Sequence, residues 1–306
     1  MSDQPTDAPA GATRAQLRAQ READNPFGPL DLVPVPEPAL AGDEGAEAVS
    51  AGRLWGLEGV GPDREVRATR EPRTDWRLGG RTVRRWREWL LAGALVGLGL
   101  GVLGGALVRG LWQSPWAWAA ALALVWLGML VPVVWAFTRS RPAGLLRFRA
   151  LDLLYAVVLG VALRIVQGAL AAASGNAAFP SYGLVDGRLS TEWLFAEVLG
   201  PLLAAPIVEE FFFRAVIIVA LYTVLRRPLG HVVAGVAAGL TSVGLFVLVH
   251  GLTLAAPVDA VVSIALLGLV CSLLVLLTGR IWGAVLVHLS FNASYVALAL
   301  VGAFLG

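Results

Sequence analysis

Seven stretches of this 306-residue chain are apolar over roughly the 20 residues a helix needs to cross a bilayer. They lie at about 89–108, 115–137, 151–173, 207–225, 232–252, 258–278 and 281–303. Such runs restrict the fold more than any other feature of the chain. Inside a bilayer no water satisfies backbone N–H and C=O groups, so a spanning segment must bond internally as a helix or close into a barrel. Runs of this length read as spanning helices. The expected fold is all-α, a polytopic transmembrane bundle of about seven spans. Composition agrees: 57% of residues are hydrophobic and 15% charged, against ~25% charged in ordinary soluble domains.

A formal net charge of +2 is too small to suggest a nucleic-acid partner. The single Cys271 excludes an intrachain disulfide and a cysteine-based metal site, and its apolar run makes it a packing residue. All 24 basic residues counted as Lys+Arg are arginines, which points to a GC-rich, bacterial-type host. The first twenty residues, MSDQPTDAPAGATRAQLRAQ, have no apolar core of a signal peptide, so the first span is expected to act as the targeting signal.

Residues 1–80 differ from the rest. They are rich in Pro, Ala and Arg, and their large apolar residues are sparse and without period. Such a segment buries too little surface to offset its ordering entropy. It is expected to be a disordered cytoplasmic tail, and a tail-binding partner is compatible with it. Residues 81–306 form the transmembrane domain.

The stretch 192–205 is a further apolar segment, too short to cross alone. Gly200, Pro201 and Pro206 are expected to break its helix, giving a bent or re-entrant lead-in to the fourth span. Arginines set the orientation. Arg81, Arg84, Arg85 and Arg87 precede the first span, Arg139, Arg141, Arg147 and Arg149 separate the second and third, Arg226 and Arg227 follow the fourth, and Arg280 precedes the seventh. Under the positive-inside rule these loops and the N-terminus are cytoplasmic, in a plasma membrane of the bacterial inner-membrane type.

Few ionisable residues fall inside the spans: Arg164, Glu209, Glu210, Arg214, His250 and His288, with Glu197 in the lead-in. Asp152, Asp259 and His231 stand at span ends, where they are expected to reach water. An intramembrane ionisable group is a functional-site candidate by default. In APIVEEFFFRAVI, Glu210 and Arg214 are i,i+4 neighbours able to pair along one helix face. Glu209 is turned ~100° away and can face elsewhere. A pair that only locks helices together would account for Glu210 and Arg214, but would leave Glu209 and two histidines unexplained. Asn292 follows His288 by one turn. A carboxylate base, imidazoles and an amide donor are what water-mediated bond cleavage requires. Buried Glu and His also build proton relays, but no inverted repeat of the transporter kind is visible.

Three spacings resemble one family. EEFFFR (Glu209, Glu210, Arg214) matches EExxxR, FVLVH (Phe246, His250) matches FxxxH, and HLSFN (His288, Asn292) matches HxxxN. In this order and on separate helices they resemble the CAAX protease and bacteriocin-processing family, also called CPBP or Abi, over about residues 150–305. The resemblance implies a membrane-embedded endopeptidase acting on a membrane-associated protein or peptide. By it, Glu209 and His250 activate the attacking water, His288 and Asn292 stabilise the oxyanion, and Glu210, Arg214 and Phe246 support the site. No cofactor is favoured. The ligand types suffice for zinc, and a zinc site would use Glu209, His250 and His288. The alternative within the family is a non-catalytic scaffold or bacteriocin self-immunity protein.

Overall fold

Long apolar sequence becomes helix here wherever it is described. A computed structural model describes residues 74–305 apart from 80–82, 84, 115, 177–178, 184–188, 190–193 and 255. Of the expected disordered tail, 1–80, residues 74–79 are described and are ordered, with Trp76–Leu78 a single helical turn; the rest of the tail and the Glu197 side chain lie outside the described residues. Among those described there is no strand, and six helices are long and apolar enough to cross a membrane. We label them α1 (Glu88–Leu111), α2 (Ala117–Arg139), α3 (Ala150–Ala173), α4, α5 (Val258–Thr278) and α6 (Trp282–Leu305). Helix α4 is a continuous run of four pieces: Leu194–Ala204, Ala205–Glu210, Phe211–Ile218 and Val219–Leu254.

The difference between six helices and the seven expected spans lies in α4. Its membrane-compatible part, Val198–Thr253, has 56 residues. Laid straight it would reach ~84 Å at 1.5 Å per residue, nearly three times the ~30 Å hydrocarbon core. It does not run straight. Gly230 has φ 76° and ψ 173°, outside the helical region, and glycine takes a positive φ without the Cβ penalty. Beyond it the chain doubles back. Ser242 Oγ donates to the Phe213 carbonyl at 3.1 Å although 29 residues separate them. The expected spans at 207–225 and 232–252 are therefore the two arms of α4. Gly230 is the kink at which one helix ends and the next begins.

Prolines do not break the first arm, contrary to the sequence-based expectation. Leu194–Ala204, which contains Pro201, is π-helical, and the run passes without a gap into α-helical Ala205–Glu210 and then π-helical Phe211–Ile218. Proline removes an N–H from the ladder, and a local change to wider turns re-satisfies the freed groups. The first arm is the centre of the bundle. Phe212, Phe213 and every residue from Arg214 to Ala220 are fully buried, as expected of a helix packed on all sides. Phe212 and Phe213 are thus contacts between helices and not with lipid.

Small residues bring the outer helices close. Gly97, Gly101 and Gly105 of α1 repeat every four residues and face α2, the small-xxx-small pattern of membrane helix pairs. A Cβ on Gly101 would stand 2.8 Å from the Leu124 carbonyl, a backbone atom that cannot turn aside. Gly101→Val is expected to destabilise the fold by about 1–3 kcal/mol, read as a lowered unfolding midpoint in detergent. An unchanged midpoint would contradict this packing.

Helix α3 buries one row, Asp152, Ala156, Gly160 and Arg164, at four-residue intervals. A Cβ on Gly160 would lie 2.6 Å from Ser290 Oγ of α6. Asp152 and Asp259 were expected to reach water, but both are buried. Asp152 pairs with Arg280 at 2.8 Å, and Asp259 accepts from Asn176 Nδ2 at 3.0 Å. Helix packing closes over span ends that length alone would leave open. The packed unit also takes in residues ahead of α1. Trp76 is fully buried and donates Nε1–H to the Gly279 carbonyl at 3.0 Å. Trp112, Trp116 and Trp118 are exposed, as an interfacial belt requires.

Candidate active site

Three chain segments carry the motif residues to one place. The first arm of α4 supplies Glu209 and Glu210, at the junction where α-helical turns give way to π-helical ones. Such junctions recur at functional sites. The second arm supplies Phe246 and His250, and α6 supplies His288 and Asn292.

The two carboxylates have different surroundings. Glu210 is fully buried, with Oε1 3.2 Å from Arg214 Nη1 and 2.9 Å from His288 Nδ1. The contact with Arg214 is an ion pair without hydrogen-bond alignment: Arg214 Nη1 and Nε and Glu210 Oε2 have no hydrogen-bond partner among the described residues. Arg214 donates Nη2–H to the Gly268 carbonyl of α5 at 3.1 Å. Its guanidinium also stands 4.4 Å from the centre of the Phe246 ring, a cation–π contact.

Glu209 makes no such tight pair. Its Oε2 lies 3.8 Å from His250 Nε2 and 4.0 Å from His288 Nε2. It faces a cavity of about 280 Å³ whose lining includes His250, His288, Asn292, Pro201 and Trp126. The two histidines are oriented by their other nitrogens. His250 donates Nδ1–H to the Phe246 carbonyl at 2.8 Å, which leaves Nε2 as the acceptor of the neutral ring. His288 commits Nδ1 to Glu210. The Phe246 ring packs against both, 4.3 Å from His250 and 5.8 Å from His288 between ring centres. Asn292 donates one Nδ2–H to the Pro201 carbonyl at 2.8 Å, and the amide has a second to offer.

Every residue singled out from the sequence at these motifs is therefore within this cluster. Arg164 is not; it is held between α3 and α6. Sequence reasoning missed three contributors. The Pro201 carbonyl fixes Asn292, and only the position of a proline in an apolar stretch hinted at it. Gly268 receives Arg214 and leaves room for it, since a Cβ there would stand 3.2 Å from both Arg214 Nη2 and the Phe246 ring. Helix α2 forms a wall through Leu122, Trp126 and Met129, and nothing in its sequence marks those positions.

Glu209, His250 and His288 are the donors a zinc ion would use. Two ligands of one tetrahedral zinc at about 2.1 Å lie ~3.4 Å apart, closer than the 3.8 and 4.0 Å from Glu209 to the histidines. Among the described residues no group of three or more His, Cys, Asp or Glu is arranged to hold a metal ion.

Comparison with curated proteins finds no match, and comparison with solved structures finds none. Comparison with family models matches residues 191–294, about a third of the chain, to the type II CAAX prenyl endopeptidase Rce1-like model. That range is narrower than the 150–305 suggested by the motifs, yet it contains Glu209, Glu210, Arg214, Phe246, His250, His288 and Asn292. Residues 191–294 of this multi-pass membrane helical bundle are thus similar to the Rce1-like model, consistent with the CPBP family that the motifs resemble.

Proposed function

We propose that this protein is an intramembrane endopeptidase that hydrolyses a peptide bond of a membrane-associated protein or peptide with a glutamate-activated water. The observation that carries the reading is the position of Glu209 Oε2, 3.8 and 4.0 Å from two histidine Nε2 atoms in one cavity. The family match supports a CAAX-type protease.

The water sits between Glu209 and His250, donating to the carboxylate and to the lone pair of Nε2. Glu209 takes its proton as the oxygen attacks the carbonyl carbon. The oxyanion that forms accepts from the free Asn292 Nδ2–H and from His288 Nε2. The donor role requires a proton on His288 Nε2, facing the cavity, and a proton between Nδ1 and Glu210. When the intermediate collapses, the C–N bond breaks and Glu209 returns the proton to the departing amine. Glu210 and Arg214 hold His288 in place and balance its charge. These steps call on no metal.

The cavity shape supports a membrane-associated substrate. Leu122, Val125 and Thr253 also line a larger cavity of about 530 Å³ beside α1 and α2, mostly apolar and able to receive an apolar segment. The arginine distribution supports a cytoplasmic N-terminus.

The test uses the full chain in lipid nanodiscs with a library of membrane-anchored peptides. New N-termini are read by mass spectrometry for the wild type and for His250→Ala. Products made only by the wild type, undiminished by a strong zinc chelator, are expected. Identical products from both proteins would sink the endopeptidase reading. Loss of products on chelation, restored by zinc, would overturn the metal-free mechanism.

A further inference from the structure

One buried cation takes no part in the chemistry above. Arg164 of α3 is 8% exposed. Its Nε–H goes to Ser294 Oγ at 3.2 Å and an Nη2–H to the Phe291 carbonyl at 2.5 Å, while Nη1 meets the Gln167 side-chain carbonyl. All three acceptors are neutral. The guanidinium lies 3.9 Å from the centre of the Phe291 ring. The other two buried arginines each have a carboxylate, Arg214 with Glu210 at 3.2 Å and Arg280 with Asp152 at 2.8 Å. Among the described side chains, no carboxylate lies within ion-pair distance of Arg164. Buried charges are ordinarily paired, and a guanidinium has five N–H donors, so two remain here.

The surroundings indicate where a partner would come from. Arg164 lines a cavity of about 210 Å³ with Gln167, Pro201, Phe291, Asn292 and Tyr295. Pro201, Phe291 and Asn292 line the Glu209 cavity as well. A ligand lying across this shared boundary would have one part beside Glu209 and another beside Arg164. The planar fork of a guanidinium matches a carboxylate.

We propose that the Arg164 cavity is a carboxylate-binding subsite that anchors the peptide substrate while its scissile bond lies at Glu209. This rests on the endopeptidase reading given above. The carboxylate is either the free C-terminus of the peptide or an acidic side chain, and the chemistry recognised is the same.

Binding to the full chain carrying Glu209→Gln separates the two, because cleavage is not needed for the readout. The probes are an N-acetylated trileucine with a free C-terminal carboxylate, its C-terminal amide, and the same amide with one leucine replaced by glutamate. At least one carboxylate peptide is expected to bind about tenfold or more tightly than the uncharged amide. That preference is expected to vanish in Arg164→Gln and to survive in part in Arg164→Lys. Tight binding of the free acid assigns the C-terminus, and tight binding of the glutamate peptide assigns a side chain. Equal binding of the three peptides, absence of binding, or a preference that persists in Arg164→Gln overturns the proposal. If Arg164→Gln does not fold, the acid-to-amide ratio with Arg164 intact decides, and a ratio near one is the negative result. A protein that binds the acid selectively but releases no products would retain this subsite and lose the endopeptidase reading.

Discussion

Glu209→Gln is expected to lower peptide-bond hydrolysis by about 10²–10⁴-fold, the usual contribution of a positioned general base. The substitution keeps the shape of the side chain and removes its ability to take a proton. Glu209 Oε2 contacts the histidines only at 3.8 and 4.0 Å, so little structure depends on its charge. The unfolding midpoint should therefore stay close to that of the wild type while turnover falls. The measurement is the turnover of one cleaved peptide by purified protein, with unfolding in detergent beside it. Turnover within threefold of wild type would rule out Glu209 as the base. A collapse of stability together with activity would show that the carboxylate is structural.

Arg214→Leu should have the opposite signature. It removes the cation that faces Glu210 in a fully buried pair and leaves the carboxylate with His288 as its one ion-pair neighbour among the described residues. Breaking a buried pair from one side costs ~3–5 kcal/mol, whereas replacing both members with neutral groups of similar volume is often nearly neutral. The double variant Glu210→Gln, Arg214→Met is thus expected to regain most of the stability lost by Arg214→Leu. It should not regain activity, because Glu210 also holds His288 Nδ1 at 2.9 Å. Unfolding in detergent and turnover, measured on the same preparations, separate the two effects. Should the double variant be no more stable than Arg214→Leu, the cost lies in lost packing against Phe246 and not in the stranded charge.

The motifs were legible because they are local. EExxxR, FxxxH and HxxxN each place two groups about one turn apart, and the contact between Glu210 and Arg214 follows from that spacing alone. The His250 bond to the Phe246 carbonyl is equally local, four residues back along its own arm. Other parts of the site were not legible. Asn292 is fixed by a carbonyl 91 positions away in sequence, and Arg214 by one 54 away. No periodicity encodes such pairings. Pro201 misled for a related reason: its effect on an isolated helix is a break, but helices packed around it tolerate wider turns.

The sequence by itself determined that this protein is a helical membrane bundle, because a bilayer core leaves long apolar segments no other way to bond their backbones. It also determined which few residues bear charge or can move a proton at that depth. Only the tertiary structure decided that two expected spans fold back on one another at Gly230, that Asp152 is sealed against Arg280, and that α2 walls the cavity. It alone also separated two arginines with buried carboxylate partners from Arg164, which has none among the described side chains. The reason is that pairing and burial depend on which helix faces meet, and those faces are chosen by long-range packing of small and large side chains.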